Sequence, residues 1–299
     1  MSLLVVGTVA FDSIQTPHGQ VAEETGGSAT YFSLAASRFA PVRLVGVVGG
    51  DFPRERLDVF SGHPVCLDGL QVEEEGKTFR WSGRYQGDMN VAETLDTQLN
   101  VLGSFEPKLP QAYRDSRFVF LANAAPRVQL EVLDQVDSPL FVMCDTMNLW
   151  IEHEREGLLE VLSRVDGIVL NDEEARQLTG ERNLIRAGHR VLDLGPKVAI
   201  IKKGEHGAFL FSGYLFHALP AYPVTEVVDP TGAGDSFAGG LMGYLARAGR
   251  VSIGTLKRGM VYGTVAASYT VGGFGTAALA ATERDDFDVR FHEFLHFAS

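Results

Sequence analysis

A carboxylate side chain stands inside a glycine-rich segment at the predicted start of a helix. Residues Val228–Phe237 read VDPTGAGDSF, and a helical apolar period follows over Ala233–Ala248. The first N–H groups of a helix lack intrahelical partners and lie at the positive end of its dipole, so this segment predicts an anion site. Asp235 would repel an anion there. Its presence makes sense if it accepts a proton from a hydroxyl group that attacks a phosphoryl group.

Phosphoryl transfer needs positioning and charge stabilisation more than covalent help from the protein. The amides of Gly232, Ala233 and Gly234 would stabilise charge on the transferred group, and Asp235 would orient and deprotonate the acceptor. The alternative is a glycine-rich helix start whose aspartate only caps free amides.

The segment Asp229–Phe237 resembles, almost residue for residue, the C-terminal signature of the ribokinase-like (PfkB) carbohydrate kinases. The resemblance implies ATP as phosphoryl donor, Asp235 as catalytic base, and the amides of Gly232, Ala233 and Gly234 as anion hole. It also implies that Asp229 and Thr231 could hold a monovalent cation such as K⁺, together with carbonyl groups of a later loop near residues 272–275.

A second segment follows a predicted strand, where Asn171 and Glu174 stand three residues apart. It resembles the Asn-x-x-Glu motif of the same family, which implies that the two side chains organise Mg²⁺ and its waters around the phosphates. Mg²⁺ prefers oxygen ligands and keeps several waters, so an indirect role for Glu174 fits. The alternative is a capping box at a helix start.

The turn Lys202–Gly207 reads KKGEHG between two predicted strands. It resembles the family's Lys-x-Gly-x-x-Gly turn, which implies that it lies along the nucleotide. Lys202 would offset phosphate charge, and Gly204 and Gly207 would allow the backbone to approach the nucleotide. The alternative is an ordinary hairpin turn.

Near the N-terminus, Gly26 and Gly27 precede a predicted helix, and Asp12 follows the first strand. The pair of glycines resembles the family's substrate motif, and Asp12 matches a position that often binds acceptor hydroxyl groups. Tyr31 departs from the pattern, because the family usually has Asn there. The departure puts a ribose-like acceptor in doubt. Close packing of a helix on a strand is the alternative for the glycines.

Residues Thr78–Tyr85 alternate polar and bulky side chains with period two, as in an exposed two-faced strand. Such an element inserted in an α/β domain is a natural lid. Arg80 and Arg84 share one face and would suit an acidic or phosphorylated acceptor, so Arg80 is a candidate substrate ligand. Trp81 and Tyr85 share the other face and would stack on a ring. A solvated edge strand or a dimer contact is the alternative.

Short apolar runs alternate with helical patterns along most of the chain, which predicts a mostly parallel sheet covered on both faces. With the resemblance, the expected fold is a three-layer α/β/α ribokinase-like domain over residues 1–299. Residues 12–25 and 69–101 are expected to form its β-sheet lid. The predicted strands of the main sheet are Leu3–Gly7, Val42–Val48, Arg117–Ala122, Leu140–Cys144, Gly167–Leu170, Val198–Lys202, Ala208–Phe211 and Tyr214–His217.

The 299 residues carry a formal net charge of −12, which argues against a nucleic-acid partner. Cys66 and Cys144 are too few for a disulfide framework, and Cys144 sits in an apolar run that predicts a buried thiol. Residues 1–7 read as a strand, and no apolar stretch approaches the length of a membrane helix. A cytoplasmic location without membrane association is expected, and the resemblance implies a homodimer through the lid.

These observations predict an ATP-dependent kinase that phosphorylates a hydroxyl group of a small sugar or sugar-like acceptor. A nucleoside kinase of the adenosine type is an alternative, and a vitamin kinase of the pyridoxal type is another within enzymes. A non-catalytic ligand-binding protein on a kinase fold is the alternative outside enzymes, against which the carboxylate of Asp235 argues.

Overall fold

A computed structural model of the chain describes residues 1–87 and 89–298. The strands are β1 Leu3–Val6, β2 Ala10–Thr16, β3 Gly19–Gly26, β4 Val42–Gly49, β5 Val65–Glu73, β6 Arg80–Tyr85, β7 Ala92–Gln98, β8 Phe118–Leu121, β9 Phe141–Asp145, β10 Gly167–Asn171, β11 Val198–Lys202, β12 Ala208–Ser212 and β13 Leu215–Leu219. The helices are α1 Ser28–Ala36, α2 Pro126–Leu133, α3 Asn148–His153, α4 Arg155–Arg164, α5 Asp172–Thr179, α6 Leu184–Asp193, α7 Ala233–Ala248, α8 Ile253–Thr270, α9 Ala277–Ala280 and α10 Arg284–Phe297.

Within the described residues, nine strands form the main sheet in the order β13-β12-β11-β10-β9-β8-β1-β4-β5. The pairs from β5 to β11 are parallel, and β12 and β13 extend the sheet antiparallel. Leu3 and Val5 of β1 belong to one buried cluster, whereas Leu4 and Val6 belong to another on the opposite face. Because the strands are buried on both faces, helices cover both sides, and the predicted three-layer α/β/α fold is confirmed.

A second, smaller sheet has the strand order β3-β2-β6-β7. The expected range 12–25 falls within β2 and β3, but the expected range 69–101 begins too early. Val65–Glu73 pairs in parallel with β4 and forms the edge of the main sheet. The backbones are close there, since a Cβ on Gly69 would lie 2.6 Å from the carbonyl oxygen of Leu44. Asp88, inside that range, and Ser299, at the end of the expected domain, lie outside the described residues.

Glycines allow α7 to pack closely between its neighbours. A Cβ on Gly239 would lie 2.4 Å from the carbonyl oxygen of Phe32 in α1, and one on Gly240 would lie 2.5 Å from that of Tyr262 in α8. Side chains at these positions would force the helices apart. The packing therefore fixes the N-terminus of α7.

Across residues 1–87 and 89–298, none of the helices has both the length and the apolar character needed to span a bilayer. Cys144 is buried, as its apolar context predicted, whereas Cys66 is exposed.

Candidate active site

The glycine-rich segment begins α7 through a left-handed residue. Gly232 has a φ of +74°, and a Cβ there would lie 2.3 Å from the Cγ atom of Tyr31. The Tyr31 ring therefore packs against this turn. The amide of Ala233 donates a hydrogen bond of 3.1 Å to the carbonyl oxygen of Pro230. One of the three amides expected in the anion hole thus also closes the turn.

Asp235 lies in the first turn of α7. Asp235 is half-buried. Desolvation by the surrounding protein atoms, with the charge of Asp145 adding to it and that of Lys202 opposing it, raises the pKa of its carboxyl group to about 7. A carboxyl group with a pKa near neutrality is well matched to accept a proton at physiological pH. The arrangement can therefore supply a general base beside a positive helix end.

Asp12 in β2 is buried and lies against the two glycines that precede α1. Its Oδ2 atom accepts a hydrogen bond of 3.2 Å from the amide of Gly27, and a Cβ on Gly26 would lie only 1.9 Å from that oxygen. Burial raises the pKa of Asp12 to about 7, and the charges of Asp235 and Asp229 add to this effect. The expected substrate residues Asp12, Gly26 and Gly27 therefore meet beside Asp235.

Lys202, at the end of β11, reaches the start of α7. A Cβ on Gly234 would lie 2.8 Å from its Nζ atom, which is 3.4 Å from Oδ2 of the buried Asp145. An ammonium group beside bare backbone at a helix N-terminus can bind a phosphate group.

Asn171 and Glu174 form the reciprocal capping box that was one of the two interpretations of their spacing. The Glu174 amide donates to Asn171 Oδ1 at 2.8 Å, and the Asn171 amide donates to Glu174 Oε2 at 2.7 Å. Burial, with the charge of Asp145 adding to it, raises the pKa of Glu174 to about 8. The buried carboxylates of Glu174 and Asp145 repel each other, and a divalent cation would relieve this repulsion. The oxygen donors present therefore fit Mg²⁺ held in part through water.

Asp229 ties two loops together near α7. Its Oδ1 accepts from the amide of Thr231 at 2.9 Å, and its Oδ2 accepts from the amide of Gly275 at 3.0 Å. The loop expected to contribute carbonyl groups to a cation site is thus adjacent. Both carboxylate oxygens already accept hydrogen bonds from backbone amides, so the observed role of Asp229 is to join the loops. A cation site at Asp229 and Thr231 stays a prediction.

A cleft of about 720 Å³ runs from the start of α7 to the strands β12 and β13. The turn with Gly204 and Gly207 forms one wall, and both glycines have positive φ. Asn171 and Lys202 lie at the polar end, whereas Leu219, Val271 and their neighbours make the rest mostly apolar. A polar end with cationic and amide groups and an apolar remainder suit a nucleotide, with phosphates at α7.

Arg80 is the expected site residue that the structure places apart from the others. β2 and β6 pair in parallel with Phe11 opposite Arg80 and Asp12 opposite Trp81. Since paired residues share a face and successive residues alternate, Arg80 and Asp12 point to opposite faces. The guanidinium group of Arg80 contacts Asp51 at 2.8 Å and Glu23 at 3.1 Å. The charge of Arg80 therefore ties β6 to Glu23 of β3 and to Asp51, which follows β4 of the main sheet.

The opposite, aromatic face of β6 turns toward the site. Trp81 shares this face with Asp12 and folds over Gly83, where a Cβ would lie 2.1 Å from the indole ring. Tyr85, two residues further, accepts a hydrogen bond of 3.2 Å from the hydroxyl group of Thr231. These contacts place Tyr85 against the loop that begins α7, and a role of the aromatic face in acceptor binding stays a prediction.

Sequence reasoning gave no specific role to Asp145, and it assigned Tyr85 to ring stacking but not to a contact with Thr231. Asp145 ends an apolar strand, and the carboxyl ends of strands in open α/β sheets bind ligands, so its position was a usable signal. Tyr85 had no comparable signal, because its partner Thr231 is 146 residues away in the chain.

Residues 2–283 match the sequence profile described as pfkB family carbohydrate kinase. A cytidine kinase from Thermococcus kodakarensis is 31% identical over 251 residues, which cover 82% of this chain and 88% of that protein.

Two solved structures show the same fold. The nucleoside kinase of Burkholderia thailandensis in complex with inosine superposes with a TM-score of 0.79 at 19% identity, covering 99% of this chain and 100% of that one. Arabidopsis thaliana ribokinase complexed with ribose and ATP gives a TM-score of 0.75 at 20% identity, covering 97% and 98%.

Proposed function

The chain belongs to the pfkB family of carbohydrate kinases and is an ATP-dependent kinase of a sugar or nucleoside hydroxyl group, and we propose that its acceptor is an uncharged nucleoside. The observation that carries this proposal is the aromatic face of β6. It sets Trp81 on the same side as Asp12, where an indole ring can stack on a nucleobase while the carboxylate binds ribosyl hydroxyl groups. The 31% identity to a cytidine kinase supports the same acceptor class.

Charge supports an acceptor without phosphate or carboxylate groups. Asp12 and Asp235 bring two carboxyl groups to the acceptor side, and the cation beside them, Lys202, is paired with Asp145. Arg80 is paired with Asp51 on the other face of the small sheet. Lys202 and Arg80 are thus both engaged by aspartates, and an anionic acceptor would meet repulsion from Asp12.

In the proposed mechanism, Asp235 accepts the proton of the attacking hydroxyl group. The amides of Gly232, Ala233 and Gly234 and the ammonium group of Lys202 bind the oxygens of the transferred phosphoryl group. Gly204 and Gly207 let the backbone lie along the nucleotide. Bound Mg²⁺ would neutralise triphosphate charge, and Asn171 and Glu174 would hold it through its waters. Asp12, Gly26, Gly27 and Tyr31 form the acceptor side.

The test is ADP release from Mg-ATP with paired acceptors: cytidine, adenosine and inosine, their 5′-phosphates, free ribose, fructose, myo-inositol and fructose 6-phosphate. We expect turnover of a nucleoside and none of the phosphorylated partners. In parallel, Asp235→Asn should keep ATP binding and lose on the order of 10²–10⁴ in rate.

Turnover of free sugars with no nucleoside would contradict the nucleoside assignment and restore the sugar acceptor expected from the sequence. Turnover of a sugar phosphate would contradict the charge argument. An unchanged rate for Asp235→Asn would contradict its role as base. ATP binding without turnover of any acceptor would favour the non-catalytic alternative.

Three further expectations belong to this proposal. A cytoplasmic location, a homodimer through the small sheet and activation by K⁺ are proposed on the family resemblance. Activity with and without K⁺ and the mass in solution would check the last two.

A further inference from the structure

A buried ion pair spans the phosphate end of the cleft. Nζ of Lys202 lies 3.4 Å from Oδ2 of Asp145, and the two side chains are only 17% and 6% exposed. They come from the ends of β11 and β9, which are separated by β10 in the sheet. Burying both charges costs desolvation free energy that one contact of 3.4 Å does not offset. A contribution to stability alone therefore does not explain why the pair is present.

The two partners are fixed to different degrees. The carboxylate of Asp145 accepts a hydrogen bond of 2.8 Å from the amide of Thr146, and its carbonyl oxygen accepts one of 3.0 Å from the buried Gln129. By contrast, 3.4 Å to Lys202 exceeds the 2.7–2.9 Å typical of a charge-assisted hydrogen bond. Asp145 is therefore the anchored partner, and the ammonium group has room to move and protons to donate.

The ammonium group rests at the place where a phosphoryl group would be transferred. A Cβ on Gly234 would lie 2.8 Å from Nζ, so only a glycine admits Lys202 to the start of α7. Burial alone would lower the pKa of Lys202, but the carboxylates of Asp145, Glu174 and Asp235 raise it, and the ammonium group stays charged. Three carboxylates thus face one cation, with Asp145 in contact.

We infer that Asp145 is a positioning residue that holds the Lys202 ammonium group against Gly234, where it stabilises the charge that develops on the transferred phosphoryl oxygens. This inference rests on the proposed phosphoryl transfer but not on the identity of the acceptor. The acceptor oxygen bonds to the γ-phosphorus while the bond from that phosphorus to the β–γ bridging oxygen breaks, and its electron pair leaves with ADP. The hydroxyl proton goes to Asp235, and Lys202 keeps its protons throughout.

Four variants of the full chain test the inference: Lys202→Met, Asp145→Asn, the double variant and Asp145→Glu. We expect each of the first two to lower kcat by about 10- to 100-fold, with the KM for ATP and the Kd for ADP changed less than about threefold, because the interaction is strongest in the transition state. The kcat of the double variant should match that of Lys202→Met within about twofold, because both changes disrupt the same interaction of the ammonium group with the transferred phosphoryl group. Asp145→Glu should recover most of the activity.

Lys197→Met is the matched control, because Lys197 and Asp166, just before β11 and β10, form another lysine–aspartate pair, 3.0 Å apart, with Lys197 80% exposed. Its kcat should equal that of the wild type. If no acceptor is turned over, the variants can be compared by their slow hydrolysis of ATP by water, measured without an acceptor. Failure of the nucleoside proposal is therefore separable from failure of this inference.

Three outcomes would overturn the inference. The first is wild-type kcat in Asp145→Asn. The second is multiplication of the two single effects in the double variant. The third is a changed Mg²⁺ concentration for half-activation in Asp145→Asn, which would make Asp145 a metal ligand instead. Loss of the thermal unfolding transition would show that Asp145→Asn fails to fold. In that case the comparison of Lys202→Met with Asp145→Glu tests the inference, and an equal and large loss of kcat in both variants would overturn the inference.

Discussion

The hydroxyl group of Thr231 donates a hydrogen bond of 3.2 Å to the phenol oxygen of Tyr85. This contact joins the small sheet to the loop that begins α7 and carries Gly232. Tyr85 also packs with Ile14 and Met89, so the small sheet meets the main body through an apolar cluster with one polar tie. The acceptor side and the phosphate side of the site are thereby linked.

Tyr85→Phe should weaken closure of the small sheet over the acceptor. The change removes one neutral hydrogen bond worth about 1 kcal/mol and keeps the ring, so we expect the acceptor KM to rise about fivefold with little change in the KM for ATP. Steady-state kinetics measure both. Tyr214→Phe is the control, because Tyr214 is fully exposed. An unchanged acceptor KM would show that the bond does not contribute to acceptor binding.

Gly232→Ala should lower kcat on the order of 10²-fold. The residue has a φ of +74°, which strains any other L-residue, and its new Cβ would meet the Tyr31 ring at 2.3 Å, so the loop must shift. Gly180→Ala is matched in backbone, with the same φ of +74° but nothing within 4 Å. It should cost about 1 kcal/mol of stability and no activity. Equal kcat in both variants would contradict the need for close packing against Tyr31.

Gly240→Ala should reduce the free energy of unfolding by about 1–3 kcal/mol, because its Cβ would lie 2.5 Å from the Tyr262 carbonyl oxygen across the contact of α7 with α8. Gly254→Ala in the first turn of α8 is the control: its nearest neighbour is 3.9 Å away, and it should be neutral or stabilising by up to about 1 kcal/mol. Urea titration measures both. A stable Gly240→Ala would mean that the two helices can separate without loss.

The ligand-free protein should lose stability as pH rises toward 8, in part through Asp235. Its carboxyl group has a folded pKa of about 7 against an ordinary 3.8, so the folded chain binds the extra proton between these values. The stabilising contribution is complete below pH 4 and is lost as pH rises through 7. Asp235→Asn should therefore equal the wild type near pH 4 and exceed it in Tm at pH 8. The reverse order at pH 8 would contradict the raised pKa.

Most of the main sheet could be read from the sequence, because buried parallel strands are short apolar runs. Val198–Lys202 and Ala233–Ala248 coincide with the predicted elements. Helical patterning over Ile151–Ser163 predicts one helix, whereas the structure has two helices that meet at the non-helical residue Glu154. The helix Leu184–Asp193 was not predicted; it contains Gly188, which weakens local helix propensity but admits the Phe211 ring.

The site could be predicted where chemistry and position coincide locally. Asp235 was identified because it stands in a glycine-rich helix start, and Asp12 because it matches a position of the family pattern; the structure brings the two together. Arg80 stayed one of two alternatives because alternation gives β6 two faces but not which one turns inward; the structure places it on the face opposite Asp12. That choice depends on the pairing of β6 with β2, a contact between distant segments.

The position of β1 between two other strands has a consequence for synthesis of the protein. Residues Leu3–Val6 pair with Val42–Val45 on one side and with Phe118–Leu121 on the other. During translation at about 5–20 residues per second, the second partner leaves the ribosome on the order of ten seconds after the first strand. Over that interval the nascent chain exposes an apolar strand edge, so co-translational protection of this edge from aggregation would fall to chaperones.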